Sequence, residues 1–366
     1  MSKSWRVDVE VGRRVVERFA REERGLVEAM VADGWPEAMA REGLALHLQS
    51  WDVEQAAGRL ERELAAVGPG QRVVWPKMVS HIWPMLPGAG VGPVLLGEMI
   101  GVKQGVRLSR RGACFGRKVC ELAGWEVLQG ERWGEAEVVV VSGSDATLHE
   151  IGRLAPGARV VGYGHRVSFG VLVDGVEVDL QEEARRFARD VVMWRQSGCF
   201  SVRAIVVVGE EARWRAFGKA LAGCIAAEEA RLGAGKMDEV QEAARAQGLA
   251  LAQMQGEVYS EGVGYVRLAR EAFEGGERGP HAVSVHRVEG IADLAPAVVQ
   301  PRGQVQGVAL GGAWAGREDL LEEVVRLGAT RVAPAGQMQA PPLAWWHDGR
   351  ANLLGWARVV EVSEVG

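Results

Sequence analysis

The chain has 366 residues, with 43 Lys and Arg against 48 Asp and Glu and a formal net charge of −5. This length is enough for two domains of ordinary size, and the acidic balance excludes a broad nucleic-acid-binding surface. No run approaches the roughly eighteen apolar residues of a membrane span, and residues 1–8 lack the apolar core of a signal peptide. The four cysteines are irregularly spaced. We therefore expect a cytoplasmic protein with no membrane partner.

The first half of the chain alternates short apolar strands with helices after a helical segment at 11–66. The predicted strands are 72–75, 78–82, 105–109, 136–141 and 160–164, and the predicted helices are 91–100, 112–123 and 146–154. This alternation is typical of an α/β fold with a doubly wound parallel sheet. Its ligands are expected at the carboxyl ends of the strands.

The second half repeats the alternation, with a boundary predicted near residue 180. The predicted helices are 181–194, 211–252 and 318–327, and the predicted strands are 204–208, 282–285, 307–310, 331–333 and 357–362. The chain is therefore interpreted as two α/β units.

Cys199 is the strongest candidate for chemistry, because it lies on the small polar loop 195–201 just before the apolar run 204–208. Loops placed on a rigid scaffold are where functional residues concentrate. The thiolate is a strong nucleophile and a good leaving group, which suits acyl transfer through a thioester. The alternative is an inert buried cysteine. Cys224, on a small-residue helix face, is interpreted as a packing residue.

Ser142, Gly143 and Ser144 form a small-residue turn between a predicted strand and a predicted helix. Such a turn lets the backbone approach a phosphate at a helix N-terminus. The alternative is that Ser144 or Asp145 is an ordinary helix cap.

Arg107, Arg110 and Arg111 cluster where the strand at 105–109 ends. Guanidinium groups match phosphate oxygens, so a nucleotide bound here is expected to be NADP rather than NAD. The alternative is a solvated charged loop.

Two histidines are candidate bases, and neither belongs to a metal-ligand spacing, so we expect no metal. His81 lies inside a predicted strand and is interpreted as a core residue, whereas His165 follows Tyr163 and Gly164 in a glycine-rich loop. The proline- and tryptophan-rich segment 337–349 either lines an apolar substrate pocket or packs as a closing loop.

Taken in order, these segments resemble the aldehyde dehydrogenase superfamily, and most closely its LuxC-type acyl-CoA reductases. The segments that carry the resemblance are the proline loop 79–87, the strand 106–109, the turn 141–144 with Ile151 and Gly152, the cysteine loop 196–201, and the ending 336–349 before Arg358. The resemblance spans about residues 70–360 and implies that Cys199 is the nucleophile.

Departures from the pattern of ordinary aldehyde dehydrogenases are also informative. No glutamate occupies the segment 161–168, where that family places the base that activates water for thioester hydrolysis. A reductase of CoA or carrier-protein thioesters is therefore favoured over an aldehyde oxidiser. Met85 or Leu86 stands near the place of the family's oxyanion asparagine and cannot donate a hydrogen bond. Arg107 stands in the place of the cofactor-binding lysine.

The resemblance implies NADPH, or NADH, held by Arg107, Ser109 and the turn 142–144, with Arg110 and Arg111 on its 2′-phosphate or on the phosphates of CoA. It implies an acyl-CoA or acyl-carrier-protein thioester as substrate, His165 as a candidate for proton delivery, and a homodimer formed through the last strand. The predicted domains are 1–180 for the N-terminal helices and cofactor, 181–345 for catalysis and 346–366 for return and oligomerisation. The alternative is a degenerate member that binds acyl-CoA or a partner without turnover.

Overall fold

The computed structural model describes residues 6–68, 70–300 and 303–363. Contacts divide this part of the chain into two compact units, the first within residues 1–165 and 340–366 and the second within residues 166–339. The dividing point differs from the predicted position near residue 180, because the segment after residue 165 forms a strand of the second sheet. The C-terminal segment of the first unit likewise begins at residue 340 rather than 346.

Four helices open the first unit, as the periodicity of residues 11–66 predicts. They are α1 (Val9–Arg21), α2 (Glu23–Ala32), α3 (Glu37–Ser50) and α4 (Val53–Ala65). Asp8 caps α1 by accepting from the backbone N–H of Val11 at 3.2 Å, and Val15 and Phe19 form its buried stripe. Amphipathic patterning and capping therefore explain these helices locally.

A five-stranded parallel sheet follows, built from β2 (Val79–Ile82), β3 (Gln104–Arg107), β4 (Glu126–Val127), β5 (Val138–Ser142) and β6 (Arg159–Tyr163), with helices α5 (Val91–Met99), α6 (Ala113–Ala123) and α7 (Asp145–Leu154). Its strand order is β4-β3-β2-β5-β6. The valine-rich β5 is buried over its first four residues, as expected for a central strand covered on both faces. A separate antiparallel pair joins β1 (Gln71–Val74) to β14 (Arg358–Glu361).

The second unit is built on a seven-stranded sheet of order β13-β12-β7-β8-β11-β10-β9. Its strands are β7 (Val167–Val173), β8 (Val202–Val208), β9 (Val258–Tyr259), β10 (Tyr265–Ala269), β11 (Ala282–Val288), β12 (Val305–Gly312) and β13 (Arg331–Pro334). Its helices are α8 (Leu180–Val192), α9 (Glu211–Leu232), α10 (Glu239–Gln255), α11 (Leu294–Ala297) and α12 (Glu318–Arg326). All neighbours are parallel except β9, which is antiparallel to β10.

The α/β fold with doubly wound parallel sheets is confirmed, but β7, β9 and β10 were not predicted. All seven residues of β7 are buried, and the core of this unit packs Phe169 and Val171 of that strand against Val206 and Val308 of its neighbours. Burial on both faces explains why β7 is an apolar run with little alternation.

Candidate active site

The strand order of the five-stranded sheet reverses between β2 and β5. The chain runs outward from β2 through β3 to β4, and then returns to the other side of β2 to form β5 and β6. Ile82, at the end of β2, lies opposite Arg107 on one side and Val141 on the other. A ligand crevice forms at the carboxyl ends of strands where such a reversal occurs. The predicted cofactor residues at the ends of β3 and β5 therefore share one sheet edge.

The turn between β5 and α7 is compact and capped. Ser144 is the N-cap of α7, and its hydroxyl accepts from the backbone N–H of Thr147 at 3.2 Å. A Cβ atom at Gly143 would lie 3.2 Å from the Cβ of Thr147, so a larger residue would crowd the turn. The capping interpretation of Ser144 is confirmed, whereas its phosphate role stays a prediction.

The neighbouring helix α6 differs from α7 at its N-terminus. Asp33, which follows α2, accepts from the backbone N–H groups of Cys114 at 3.0 Å and Phe115 at 2.8 Å. A carboxylate thus already occupies the anion-favouring end of α6. Helix α7 instead has the uncharged Ser144 at its N-cap, with Asp145 in its first turn.

The arginine cluster lies at the same edge, and one of its members is hydrogen-bonded to the protein backbone. The Arg107 guanidinium donates to the carbonyl of Gly130. Arg110 and Arg111 are exposed on the loop between β3 and α6, and Ser109 is half-buried there. Two guanidinium groups at this edge therefore face solvent, where an anionic ligand can reach them.

The two histidine candidates have different environments. His81 lies in β2 at 2% exposure, with Nε2 2.8 Å from Oε1 of Gln104, and burial lowers its pKa to about 4. This confirms its interpretation as a core histidine. His165 is exposed after β6, and its backbone N–H donates to Oδ1 of Asp145 at 3.0 Å. The proton-transfer role of His165 stays a prediction.

The loop after β2 places Met85 at the surface and Leu86 half-buried. A Cβ atom at Gly112 would lie 2.8 Å from the carbonyl of Met85, and Gly112 has φ +83°, so this close approach requires glycine. Neither Met85 nor Leu86 has a hydrogen-bond donor in its side chain.

In the second unit, Cys199 lies on a tight loop at the amino end of β8. Cys199 is half-buried, between the exposed Ser197 and the buried Phe200. The backbone N–H of Ser201 donates to the carbonyl of Gly198 at 3.1 Å, which closes the turn around the cysteine. Cys120 is a contrasting case, since it is 1% exposed and burial raises the pKa of its thiol to about 12.

Three side chains, of which Ser168 and Gln196 are buried, hold the backbone of this loop. The hydroxyl of Ser168, on β7, donates to the carbonyl of Cys199 at 2.7 Å. The Gln196 amide donates to the carbonyls of Val202 and Ala282, both at 3.1 Å. The Arg203 guanidinium donates to the carbonyl of Gln196 at 2.7 Å. The loop is therefore held to β7, β8 and β11 together.

The chain enters the loop through strained backbone. Trp194, Arg195 and Gln196 have φ values of 56°, 50° and 55°, in the left-handed region that non-glycine residues rarely occupy. Such conformations persist where the surroundings over-determine them, and they concentrate at functional sites.

The segment after β13 is tied to α8 by a buried carboxyl group. Asp190, at 1% exposure, accepts from the backbone N–H groups of Gly336 at 2.6 Å and Met338 at 3.0 Å. Burial raises the pKa of Asp190 to about 7, although the two N–H donors oppose this rise. Asp190, Ser168 and Gln196 were not predicted as supports of the loop. The one signal in the sequence was Ser168, a polar residue inside an apolar run.

The tryptophan-rich segment packs closely in the first unit. The rings of Tyr163 and His347 stack with centroids 3.8 Å apart, and His47 stacks on Trp51 at 5.4 Å. The cavity beside them, lined also by Trp345, has a volume of about 80 Å³. Ligand pockets usually have volumes of about 300–1,000 Å³, so the closing-loop interpretation of residues 340–349 fits better than a substrate pocket.

Within the described residues, the side chains of His, Cys, Asp and Glu form no cluster of three or more suited to a metal ion. Of the helices described here, none has the length and apolar character needed to cross a bilayer.

Comparison with solved structures identifies the class of fold. A benzaldehyde dehydrogenase from Corynebacterium glutamicum matches with a TM-score of 0.69 at 14% identity, over 96% of this chain and 85% of that chain. A putative methylmalonate-semialdehyde dehydrogenase from Sinorhizobium meliloti, complexed with NAD, gives 0.69 at 15% identity over 98% and 86%. An aldehyde dehydrogenase from Bartonella henselae gives 0.71 at 12% identity over 97% and 86%. The chain therefore has the aldehyde dehydrogenase fold.

The family follows from the sequence match. Residues 125–359 match the model of the LuxC acyl-CoA reductases, and the chain belongs to that family. It is an acyl-CoA reductase of the aldehyde dehydrogenase type, dependent on a nicotinamide cofactor. No curated protein sequence matches the chain significantly.

Proposed function

We propose that the protein reduces an acyl-CoA or acyl-carrier-protein thioester to an aldehyde with NADPH, through an acyl group held on Cys199. The observation that carries the proposal is the cysteine loop. Cys199 is half-buried on a loop that Ser168 and Gln196 fix to three strands, whereas Cys120 is buried in a helix. Rigid support of an accessible thiol is what nucleophilic catalysis requires.

The proposed reaction balances in two stages. The sulfur of Cys199 attacks the thioester carbonyl carbon, the bond to the outgoing sulfur breaks, and CoA or the carrier leaves as a thiol with the proton of Cys199. When bound, NADPH supplies the hydride that reduces the acyl group. The carbon–sulfur bond to Cys199 then breaks, the sulfur takes up a proton and regains its thiol form, and the aldehyde and NADP⁺ leave. His165, an exposed residue after β6, is the candidate for proton delivery.

The first unit fits a dinucleotide at the edge where the strand order reverses. The turn Ser142–Gly143–Ser144 presents the N-terminus of α7 to a phosphate, and a side chain at Gly143 would narrow that turn. Arg107 and Ser109 lie at the end of β3 on the other side of β2. The exposed Arg110 and Arg111 favour NADPH over NADH, since they can pair with a 2′-phosphate.

Two departures shape the proposal. Met85 and Leu86 leave the developing oxyanion to backbone donors such as the N–H of Cys199. The segment 161–168 holds no glutamate to activate water, so the acyl-cysteine is expected to react with hydride or a thiol and to resist hydrolysis. These same departures motivate the second candidate function, a protein that binds acyl-CoA without turnover.

The assembly and location stay predictions. The predicted oligomerisation strand exists as β14, paired with β1, and Val74 and Val359 on this pair are 43% and 44% exposed. A homodimer through this pair is expected to give twice the chain mass in light scattering. We propose a cytoplasmic location, as the sequence predicts.

Intact-mass spectrometry tests the function directly. The wild type is incubated with a panel of acyl-CoAs before and after addition of NADPH, beside Cys199→Ala and the control Cys114→Ser, a second half-buried cysteine. The expected result is an acyl adduct on the wild type and on Cys114→Ser, discharged by NADPH, and none on Cys199→Ala. Turnover by Cys199→Ala would overturn the mechanism. Binding of acyl-CoA without an adduct would favour the second function.

A further inference from the structure

A buried histidine lies next to the strand edge that holds the cysteine loop, and the proposed chemistry does not use it. His281 immediately precedes β11 and is 1% exposed. Its Nδ1 lies 2.7 Å from Oε1 of Glu229, near the end of α9, which is itself 4% exposed. Glu229 also accepts from the backbone N–H groups of Val263 at 2.8 Å and Gly264 at 2.7 Å. The carboxylate is therefore fixed at both oxygens and orients the ring.

The direction of this hydrogen bond determines whether the other ring nitrogen, Nε2, donates or accepts. A carboxylate only accepts, so Nδ1 of His281 donates to Glu229 and, in the neutral ring, Nε2 presents a lone pair. Nε2 is buried and has no hydrogen-bond partner in the described part of the chain. Buried polar atoms of this kind are rare, and each calls for an explanation such as a bound water or a functional role.

The backbone at His281 is also strained. Its φ is 51°, and among the described residues positive φ occurs at five non-glycine positions, four of which are His281 and the run 194–196 before Cys199. Both stretches lead into neighbouring strands, since β11 pairs with β8. Strain that gathers at one sheet edge marks a place where the surroundings impose a geometry.

Gln196 connects the two stretches. Its amide donates to the carbonyl of Ala282, the residue after His281, and to the carbonyl of Val202 in β8, both at 3.1 Å. Ser284 lies opposite Ala204 in the β8–β11 register. His281 and Ser201 immediately precede Ala282 and Val202, the two residues whose carbonyls Gln196 bridges, and Ser201 is two residues after Cys199.

The cysteine loop carries two more unpartnered polar atoms at this edge. They are Oγ of Ser201 and Oε1 of Gln196, both buried and without a partner among the described residues. Ser201 can donate its O–H, whereas Nε2 of His281 and Oε1 of Gln196 accept. A buried water that accepted from Ser201 and donated to the other two atoms would give each of the three a partner, and three hydrogen bonds are typical of a buried water.

We propose that His281, oriented by Glu229, is a positioning residue that holds the Cys199 loop through a buried water shared with Ser201 and Gln196. This inference rests on the proposed function, because it assigns the pair a role in presenting Cys199. The histidine itself does not touch the substrate. It sets the loop conformation from which the sulfur attacks.

His281→Asn tests the inference with little disturbance of the fold. Asparagine keeps a side-chain donor close to the position of Nδ1 and tolerates left-handed backbone, but it has no counterpart of Nε2. His286→Asn is the matched control, because His286 is a buried histidine within β11, the strand that follows His281, and both its ring nitrogens are hydrogen-bonded. Ser201→Ala removes the opposite side of the proposed water site and serves where His281→Asn fails to fold.

The measurement is the pre-steady-state release of CoA from an acyl-CoA that acylates the wild type. Its amplitude counts active sites, and its rate constant reports the acylation step. We expect His281→Asn and Ser201→Ala each to slow this step roughly tenfold or more with unchanged amplitude and unchanged KM. We expect the double variant to be no slower than the worse single one, because both residues hold one water. His286→Asn should keep the wild-type rate constant.

Three results would overturn the inference. The first is a wild-type rate constant in both His281→Asn and Ser201→Ala. The second is a loss of amplitude with an unchanged rate constant, which marks a purely structural role. The third is a double variant whose slowing equals the product of the two single effects. Failure of the proposed function has a different signature, since CoA release would then persist in Cys199→Ala.

Discussion

The two sheet edges that carry the candidate residues are organised in opposite ways. In the five-stranded sheet, the cofactor residues lie at the carboxyl ends of β3 and β5, where Arg110 and Arg111 are exposed. In the seven-stranded sheet, Cys199 lies at the amino end of β8, and buried side chains hold its backbone. The first edge is positioned mainly by strand order, and the second by specific buried hydrogen bonds.

This difference predicts how each edge responds to substitution. A surface arginine contributes little to stability and acts through screened charge. A buried donor that serves two carbonyls is expensive to remove, because both acceptors are left without a partner in a dry environment. Changes at the cysteine edge should therefore affect stability and rate together, whereas changes at the cofactor edge should affect binding alone.

The largest effect is expected at Gln196. Gln196→Ala leaves the buried carbonyls of Val202 and Ala282 without their shared donor, which should lower the free energy of unfolding by about 2–4 kcal/mol. Acylation should slow at least roughly tenfold, because the loop loses its tie to β11. Denaturant titration and the CoA-release rate constant measure the two effects.

The exposed Gln255, in the same unit, provides the control. Gln255→Ala should change the free energy of unfolding by no more than about 0.5 kcal/mol and leave acylation unchanged. If Gln196→Ala lowered the free energy of unfolding and the acylation rate constant no more than Gln255→Ala does, the contrast between the two edges would be wrong.

An intermediate effect is expected from pH at Asp190. Burial raises its pKa from 3.8 to about 7, so the folded unit holds a proton that the unfolded chain has released. Its contribution to stability is therefore fully present below about pH 4, and is lost as the pH rises through the window up to about 7. The protection factors of the Gly336 and Met338 amides, which donate to Asp190 and whose exchange is corrected for the intrinsic effect of pH, should fall across this window.

One variant and one surface carboxyl group check the sign. Asp190→Asn should abolish the fall in these protection factors between pH 5 and pH 8. Asp319 has a lowered pKa because Arg317 hydrogen-bonds to it at the surface, so its small contribution is lost in the opposite direction, as the pH falls. A slope that persists in Asp190→Asn would assign the effect to another group.

The smallest effect is expected at the cofactor edge. The double variant Arg110→Ala with Arg111→Ala should weaken NADPH binding roughly three- to fivefold and leave NADH binding unchanged, since the lost partner is the 2′-phosphate. Raising the ionic strength should shrink the difference. Fluorescence titration of both cofactors measures it, and equal losses for NADPH and NADH would remove the assignment of these arginines to the extra phosphate.

The sequence predicted much of this fold because helices and strands follow local periodicity. The helices α5 and α6, the strand β5 and the turn at Ser144 all follow from residues within a few positions of each other. β7 was missed because residues 167–173 form a short apolar run, which periodicity alone does not assign. The contrast between Cys199 on a polar loop and Cys224 on a helix was likewise readable from neighbouring residues.

By itself, the sequence determined the α/β class, the family resemblance and the position of Cys199 before a buried strand, since each depends on local pattern. Only the tertiary structure decided what holds that cysteine. Ser168 lies 31 positions before Cys199, Ala282 lies 86 positions after Gln196, and Glu229 lies 52 positions before His281. These partners meet because parallel strands β7, β8 and β11 become neighbours in the sheet, and strand order is a non-local property that periodicity does not encode.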